Sequence, residues 1–173
     1  MSDQNLEREI HKYVDTTPLG VLAYVRTDGT PVQRTFGAFA VSGNDVLFSS
    51  KKDAAKVANI ADRPRVSFFV EKKDQDRSGW KSALYLGTAV PITEKDELQS
   101  AIQAISGRNE FIRNLVAQSG LKDFALYRLK TSAIEWLDLA KGPGHVDRIV
   151  VEAEANNLHR VLSQDNCSDK RGG

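Results

Sequence analysis

The chain has 173 residues, the length of one domain with a sizeable core, and its 24 Lys and Arg against 23 Asp and Glu leave a formal net charge of +1. That balance gives no global field to draw it to nucleic acid or to a membrane surface. The single cysteine, Cys167, excludes an intrachain disulfide framework, three scattered histidines make no metal-ligand cluster, and no apolar run is long enough to span a bilayer.

The start, MSDQNLEREI, is charged and lacks an apolar signal core, which points to a cytoplasmic protein. Leu6, Ile10, Tyr13 and Val14 put an apolar stripe along a helix at 3–14. Thr17–Pro18 ends it, and Leu19–Arg26 reads as a strand. Asp28–Gly29 marks a tight hairpin, and Pro31–Val41 reads as the returning strand. After a turn at 42–45, Val46–Ser50 is a third strand, so the first three are expected to pair as a meander.

Asp53–Ile60 then switches to helical spacing, with Asp53 as its cap, until Pro64 excludes further helix. At this strand–helix junction stand Ser49, Ser50, Lys51, Lys52 and Lys56. Hydroxyls, ammoniums and free amides at a helix start suit a phosphate dianion, while the same residues also suit a solvated, capped helix start. Upstream, Arg34 sits mid-strand with Phe36, Gly37 and Phe39 beside it. If the meander pairs as expected, Arg34, Ser49, Ser50 and Lys56 converge on one phosphorylated ligand, and the phenylalanines offer a flat apolar bed for its ring.

Arg65–Val70 is the next strand, followed by a polar, exposed loop at 71–79. Ser82–Ile92 is a strand whose interior Gly87 marks a bulge or a close neighbour. Thr93 with Asp96 resembles a capping box and opens a helical insert at 94–119, broken at Gly107 and ended by Gly120. Phe124–Lys130 and Ala133–Leu139 read as two strands. A Gly-Pro-Gly turn leads to His145, and Ile149–Glu152 reads as a last short strand. Residues 1–152 therefore read as one domain, and 153–173 as a polar tail in which Leu158, Val161 and Leu162 offer a helical face. Many short antiparallel strands with helices inserted late imply a mainly β fold, a barrel with peripheral helices.

From about Pro18 to about Val150 the chain resembles the FMN-binding split-barrel proteins related to pyridoxamine 5′-phosphate oxidase. The resemblance rests on Arg34, on Phe48–Ser50, on Lys56, on RPRVSFF at Arg63–Phe69, and on Ile134–Trp136 followed by His145–Arg148. It implies a six-stranded antiparallel split barrel that forms a homodimer with FMN at the interface. Carried over residue by residue, Arg34, Thr35 and Phe36 lie along the flavin. Ser49 and Ser50 lie beside its ribityl chain and phosphate, Lys56 is the main phosphate lysine, Ser82 replaces a flavin-contacting glutamine, Arg148 comes from the second subunit, and Lys51 or Lys52 is a candidate to replace the cation missing at Ala55.

The departures bear on function. Ala55 replaces a second phosphate cation, and Phe39, Gly144 and Val146 stand where the oxidase holds its substrate's phosphate. Each lost charge-assisted contact costs about 1.5–3 kcal/mol, which argues against oxidation of pyridoxine phosphate. The resemblance thus implies an FMN-dependent oxidoreductase acting on another small molecule, with no catalytic residue assigned. Alternatives on the same fold are a haem-binding or haem-degrading protein, with His145 or His159 as iron ligand, and a deazaflavin-binding one.

Overall fold

A computed structural model describes residues 3–119 and 122–151. The expected tail at 153–173, with His159 and Cys167, lies outside the described residues. Helix α1 (Asp3–Asp15) leads into β1 (Gly20–Val25) and β2 (Pro31–Phe36). The single strand expected at Pro31–Val41 is two, because the chain bends at Gly37 and Ala38 before β3 (Phe39–Ser42). There follow β4 (Asp45–Lys51), α2 (Ala55–Asp62), β5 (Arg65–Glu71), β6 (Lys81–Pro91), α3 (Lys95–Arg108), α4 (Glu110–Ser119), β7 (Phe124–Asp138) and β8 (Val146–Val150).

The strands form one antiparallel sheet in the order β2-β1-β5-β6-β7-β4-β3, with β8 also on β7. Strands β2 and β3 occupy opposite ends of this path, yet only Gly37 and Ala38 separate them. Three virtual bonds span at most about 11 Å, so the sheet must curl until its edges nearly meet. The result is a barrel split between β2 and β3, mainly β, with peripheral helices. The six strands expected become eight. Against the strands read along the sequence, the bend adds one, while the Leu86/Gly87 bulge removes one by letting β7 run unbroken where two were expected.

Directly opposed residues share a face, so the register assigns every strand position. Pairs Leu22↔Phe68, Phe68↔Tyr85, Tyr85↔Ile134 and Phe39↔Phe48 point inward, and all these side chains are buried. Helix α1 adds Leu6, Ile10 and Val14 to that core. On the outer face, α3 and α4 cover β3, β4 and β7, packing Ile105 and Ile112 over Leu47 and Leu126. No helix of the described residues covers the outer face of β1, β5, β6 and β8, where Val21, Phe69 and Leu84 are half-buried and Val150 is 68% exposed.

Local expectations need three corrections. Helix α2 starts one residue later than expected: Ala54, not Asp53, is its cap, and it has no side-chain cap bond. Glu94 rather than Thr93 precedes α3, again without a side-chain cap. Gly107 does not break α3, which runs on to Arg108. The Arg108 guanidinium donates to the carbonyls of Val14, Thr17 and Phe39, tying α3 to the end of α1 and to β3. The polar loop at 71–79 is fastened by Gln75, whose amide bonds Lys72 and both backbone groups of Lys81. No helix of the described residues is long and apolar enough to cross a membrane.

Candidate functional site

Arg34 lies opposite Leu22 in the β1–β2 register and so faces the inner side, at the open rim of the barrel. Helix α2 crosses that rim. Its Lys56 Nζ stands 5.1 Å from the centre of the Phe36 ring, one pleat along from Arg34. Arg26, Arg34, Ala54 and Lys56 line one cleft of about 370 Å³, closed on its other side by Tyr24. Among the described residues no carboxylate stands within 4.0 Å of any of its three cations, the ion pairs all lying elsewhere. Burial, and then the nearby Arg34 charge, holds the Lys56 ammonium below its ordinary range. Arg26 has the Asp28 carboxylate nearby, but Arg34 and Lys56, without such a partner beside an uncapped helix start, are the chemistry of an anion site.

The meander expected to gather the site residues does not form. Strand β2 pairs with β1 alone, and β4 pairs with β3 and β7. Arg34 and Lys56 nevertheless meet, because the curl and α2 bring them to one rim. Phe36 lies beneath Lys56, but it is 6% exposed and belongs to the core. Phe39 is 1% exposed, sandwiched between Phe68 and the Arg108 guanidinium, so it offers no surface to a ligand. Its pairing with Phe48 turns it inward.

The other expected residues are spread by the two-residue period of the strands. Ser50 shares the inner face with Phe48. Ser49 points the opposite way, beneath the α3–α4 layer, and its buried Oγ has no hydrogen-bond partner. Thr35 and Ser82 lie on the outer face, opposite Val21 and Glu71. Lys51 is exposed and lines a separate cleft with Phe111 on α4. Arg148 lies on the outer face beside Glu135, its Nε 4.0 Å from the carboxylate. Within one chain, then, Arg148 does not meet Arg34 or Lys56.

Two basic residues went unnoticed in the sequence. Arg26, which lines the rim cleft, reads there only as a charge flanking a hairpin turn. Arg65, which lines an outer cleft with Arg148, reads only as the start of a strand and as one residue of the RPRVSFF motif, with no site role. Sequence spacing carries no signal for either meeting. His145 stands at the turn before β8, its Nε2 3.1 Å from Asp147 Oδ1. Hydrogen bonding by Lys141 and then His145 holds the Asp147 carboxyl below its usual range. Among the described residues no group of three or more His, Cys, Asp or Glu is placed to hold a metal ion.

A family model described as pyridoxamine 5′-phosphate oxidase matches residues 7–135. No curated protein sequence is significantly similar to the chain. Among solved structures, a haem-binding protein from Mycobacterium smegmatis superposes with a TM-score of 0.68 at 22% identity, over 82% of this chain and 56% of that one. The chain thus spans little more than half the length of that relative. The haem storage protein HutZ from Vibrio cholerae gives a TM-score of 0.60 at 21% identity, over 84% of this chain and 94% of that one. A Clostridium acetobutylicum protein related to general stress protein 26, of the pyridoxinephosphate oxidase family, gives 0.65 at 8% identity, over 87% and 97% of the two chains. Identities this low show a shared fold and no more.

Proposed function

This chain belongs to the pyridoxamine 5′-phosphate oxidase family, and from that premise we propose that it is an FMN-binding flavoprotein, an FMN-dependent oxidoreductase that works as a homodimer. The supporting observation is the meeting of Arg34 and Lys56 in one cleft with no carboxylate to neutralise them. A phosphate monoester at that rim would supply the missing negative charge. Arg34, Lys56 and Arg26 would hold it, with Arg26 taking the part of the cation that Ala55 lacks.

Bound FMN would supply hydride or electron transfer, and this chain's work is to bind, orient and shield. The outer face of β1, β5, β6 and β8 is the apolar sheet surface that the described residues leave uncovered, and it suits a second copy of the chain. Such pairing would carry Arg148 across to the neighbour, as the family resemblance implies for that position. Ser82 lies on the same face but is buried, at 5% exposure, within the single chain. The residues that hold pyridoxine phosphate in the oxidase are replaced here, and Phe39 is locked in the core, so the reading is a relative with another substrate. Titration of the purified protein with FMN, followed by quenching of flavin fluorescence, tests the reading. Saturable binding that weakens in Lys56→Gln supports it; no uptake of FMN refutes it.

A second reading, haem binding, has one local feature in its favour. The Asp147 carboxylate orients the His145 ring, as a partner of an iron-ligating imidazole does. A Soret band on haem addition that is lost in His145→Ala would favour it over the flavin.

A further inference from the structure

The apolar cluster beneath α3 and α4 is left open at one end. Ile92 and Leu126 are buried there, while Leu98 and Ile102 on α3 pack against the cluster and stay half-buried. These four are among the residues that line a cleft of about 480 Å³, a size common for small-molecule sites. It shares no lining residue with the rim cleft or with the outer cleft of Arg65 and Arg148.

Two lysines, Lys52 and Lys122, also line this cleft, and both are exposed, so they stand at its open side. Lys52, a candidate by sequence for the cation missing at Ala55, lines this cleft and not the rim cleft. Among the described residues neither lysine has an ion pair, and no carboxylate lines the cleft. The Ile92 N–H donates to the Leu126 carbonyl and the Lys52 N–H to the Asp123 carbonyl, so these backbone groups are already paired. An extended peptide would find no free strand edge at those positions. An apolar bed with ammoniums on one side is instead the complement of a hydrocarbon chain that carries one anionic head.

We propose that this cleft binds a medium-chain fatty acid. The hydrocarbon lies along Ile92, Leu98, Ile102 and Leu126 and closes the open end of the cluster, and Lys52 and Lys122 hold the carboxylate. The site needs neither a bound flavin nor a second copy of the chain.

Sodium decanoate, titrated calorimetrically into the full chain below its micelle-forming concentration, tests the proposal. The expected result is saturable binding that weakens about tenfold in Lys52→Gln/Lys122→Gln. Both lysines are exposed, so the thermal unfolding midpoint should not move and loss of fold is excluded as the cause. Affinity should rise about threefold for each methylene added from hexanoate through octanoate to decanoate, as burial of the tail requires. Decyltrimethylammonium, with the same tail and the opposite charge, should not bind. Decanoate should still bind Arg34→Gln/Lys56→Gln protein, since the rim cleft lies elsewhere. No uptake of decanoate, which is also the outcome if another part of the chain or a second copy fills the cleft, overturns the proposal. So does an affinity indifferent to chain length or to loss of both lysines. None of these outcomes depends on whether the protein takes up FMN.

Discussion

Lys56 Nζ stands 5.1 Å above the Phe36 ring, on the side of the barrel to which Arg34 also turns. The ring attracts the ammonium through its quadrupole, while Arg34 repels it and burial strips it of water. A lysine so placed gains from an arriving anion more than a solvated lysine does. Lys56→Gln should therefore weaken FMN binding by about 1.5–3 kcal/mol, some tenfold to a hundredfold, in a fluorescence-quenching titration. Arg26→Gln should weaken it less, because that side chain extends from the end of β1 in exposed surroundings.

The same lysine sets a pH dependence. Its folded-state value lies below the ordinary lysine value. Between the two values the unfolded chain holds the proton that the folded chain has released, so the free protein gains stability as pH rises through that window. FMN affinity moves the other way, since the phosphate needs the ammonium. Affinity should fall at a lower pH than an unperturbed lysine would give, and Lys56→Gln should abolish that fall. A Kd profile over alkaline pH in both proteins measures it.

Gly87 is required by the bulge between β6 and β7. A Cβ there would lie 2.1 Å from the Lys130 carbonyl oxygen, which is backbone and cannot swing aside. Gly87→Ala should cost at least about 2 kcal/mol, because the two strands would have to separate. Urea unfolding monitored by Trp fluorescence gives the value; a loss under half of that would mean that the register adjusts freely.

Arg108 joins three elements through backbone carbonyls and lies 4.3 Å over the Phe39 ring. Arg108→Leu leaves the Val14, Thr17 and Phe39 carbonyls without that partner in a mostly buried corner. The expected loss is about 2–4 kcal/mol and a lower melting temperature. FMN affinity should change little, since Arg108 lies away from the rim cleft.

The uncovered outer face yields a prediction about assembly. Val150 is 68% exposed on β8, opposite Ala133 on the outer face. Val150→Glu should leave the unfolding midpoint in place and shift the protein from dimer to monomer in sedimentation velocity. A dimer unaffected by the charge would move the pairing surface elsewhere.

Alternation, helical spacing and turn residues sufficed to read the number and order of most elements, the barrel class and the special role of Gly87. Those signals are local, written in side-chain period and backbone freedom. Lys56 and Arg34 were also legible as candidates, since a cation at a helix start and an arginine amid apolar strand residues each stand out in the sequence alone. Their meeting was not, and the route assumed for it was wrong: β2 never pairs with β4.

The tertiary structure decided everything that depends on which face a strand presents. One bend at Gly37–Ala38 sends β2 and β3 to opposite ends of the sheet, and the curl then brings Arg34 to α2. The same two-residue period that hides Phe39 in the core parts Ser49 from Ser50 and sets Arg148 beside Arg65. A sequence fixes the order of charges along the chain, but only the closing of the sheet chooses which of them share a cleft. That choice rests on long-range strand pairing, for which neighbouring residues carry no record.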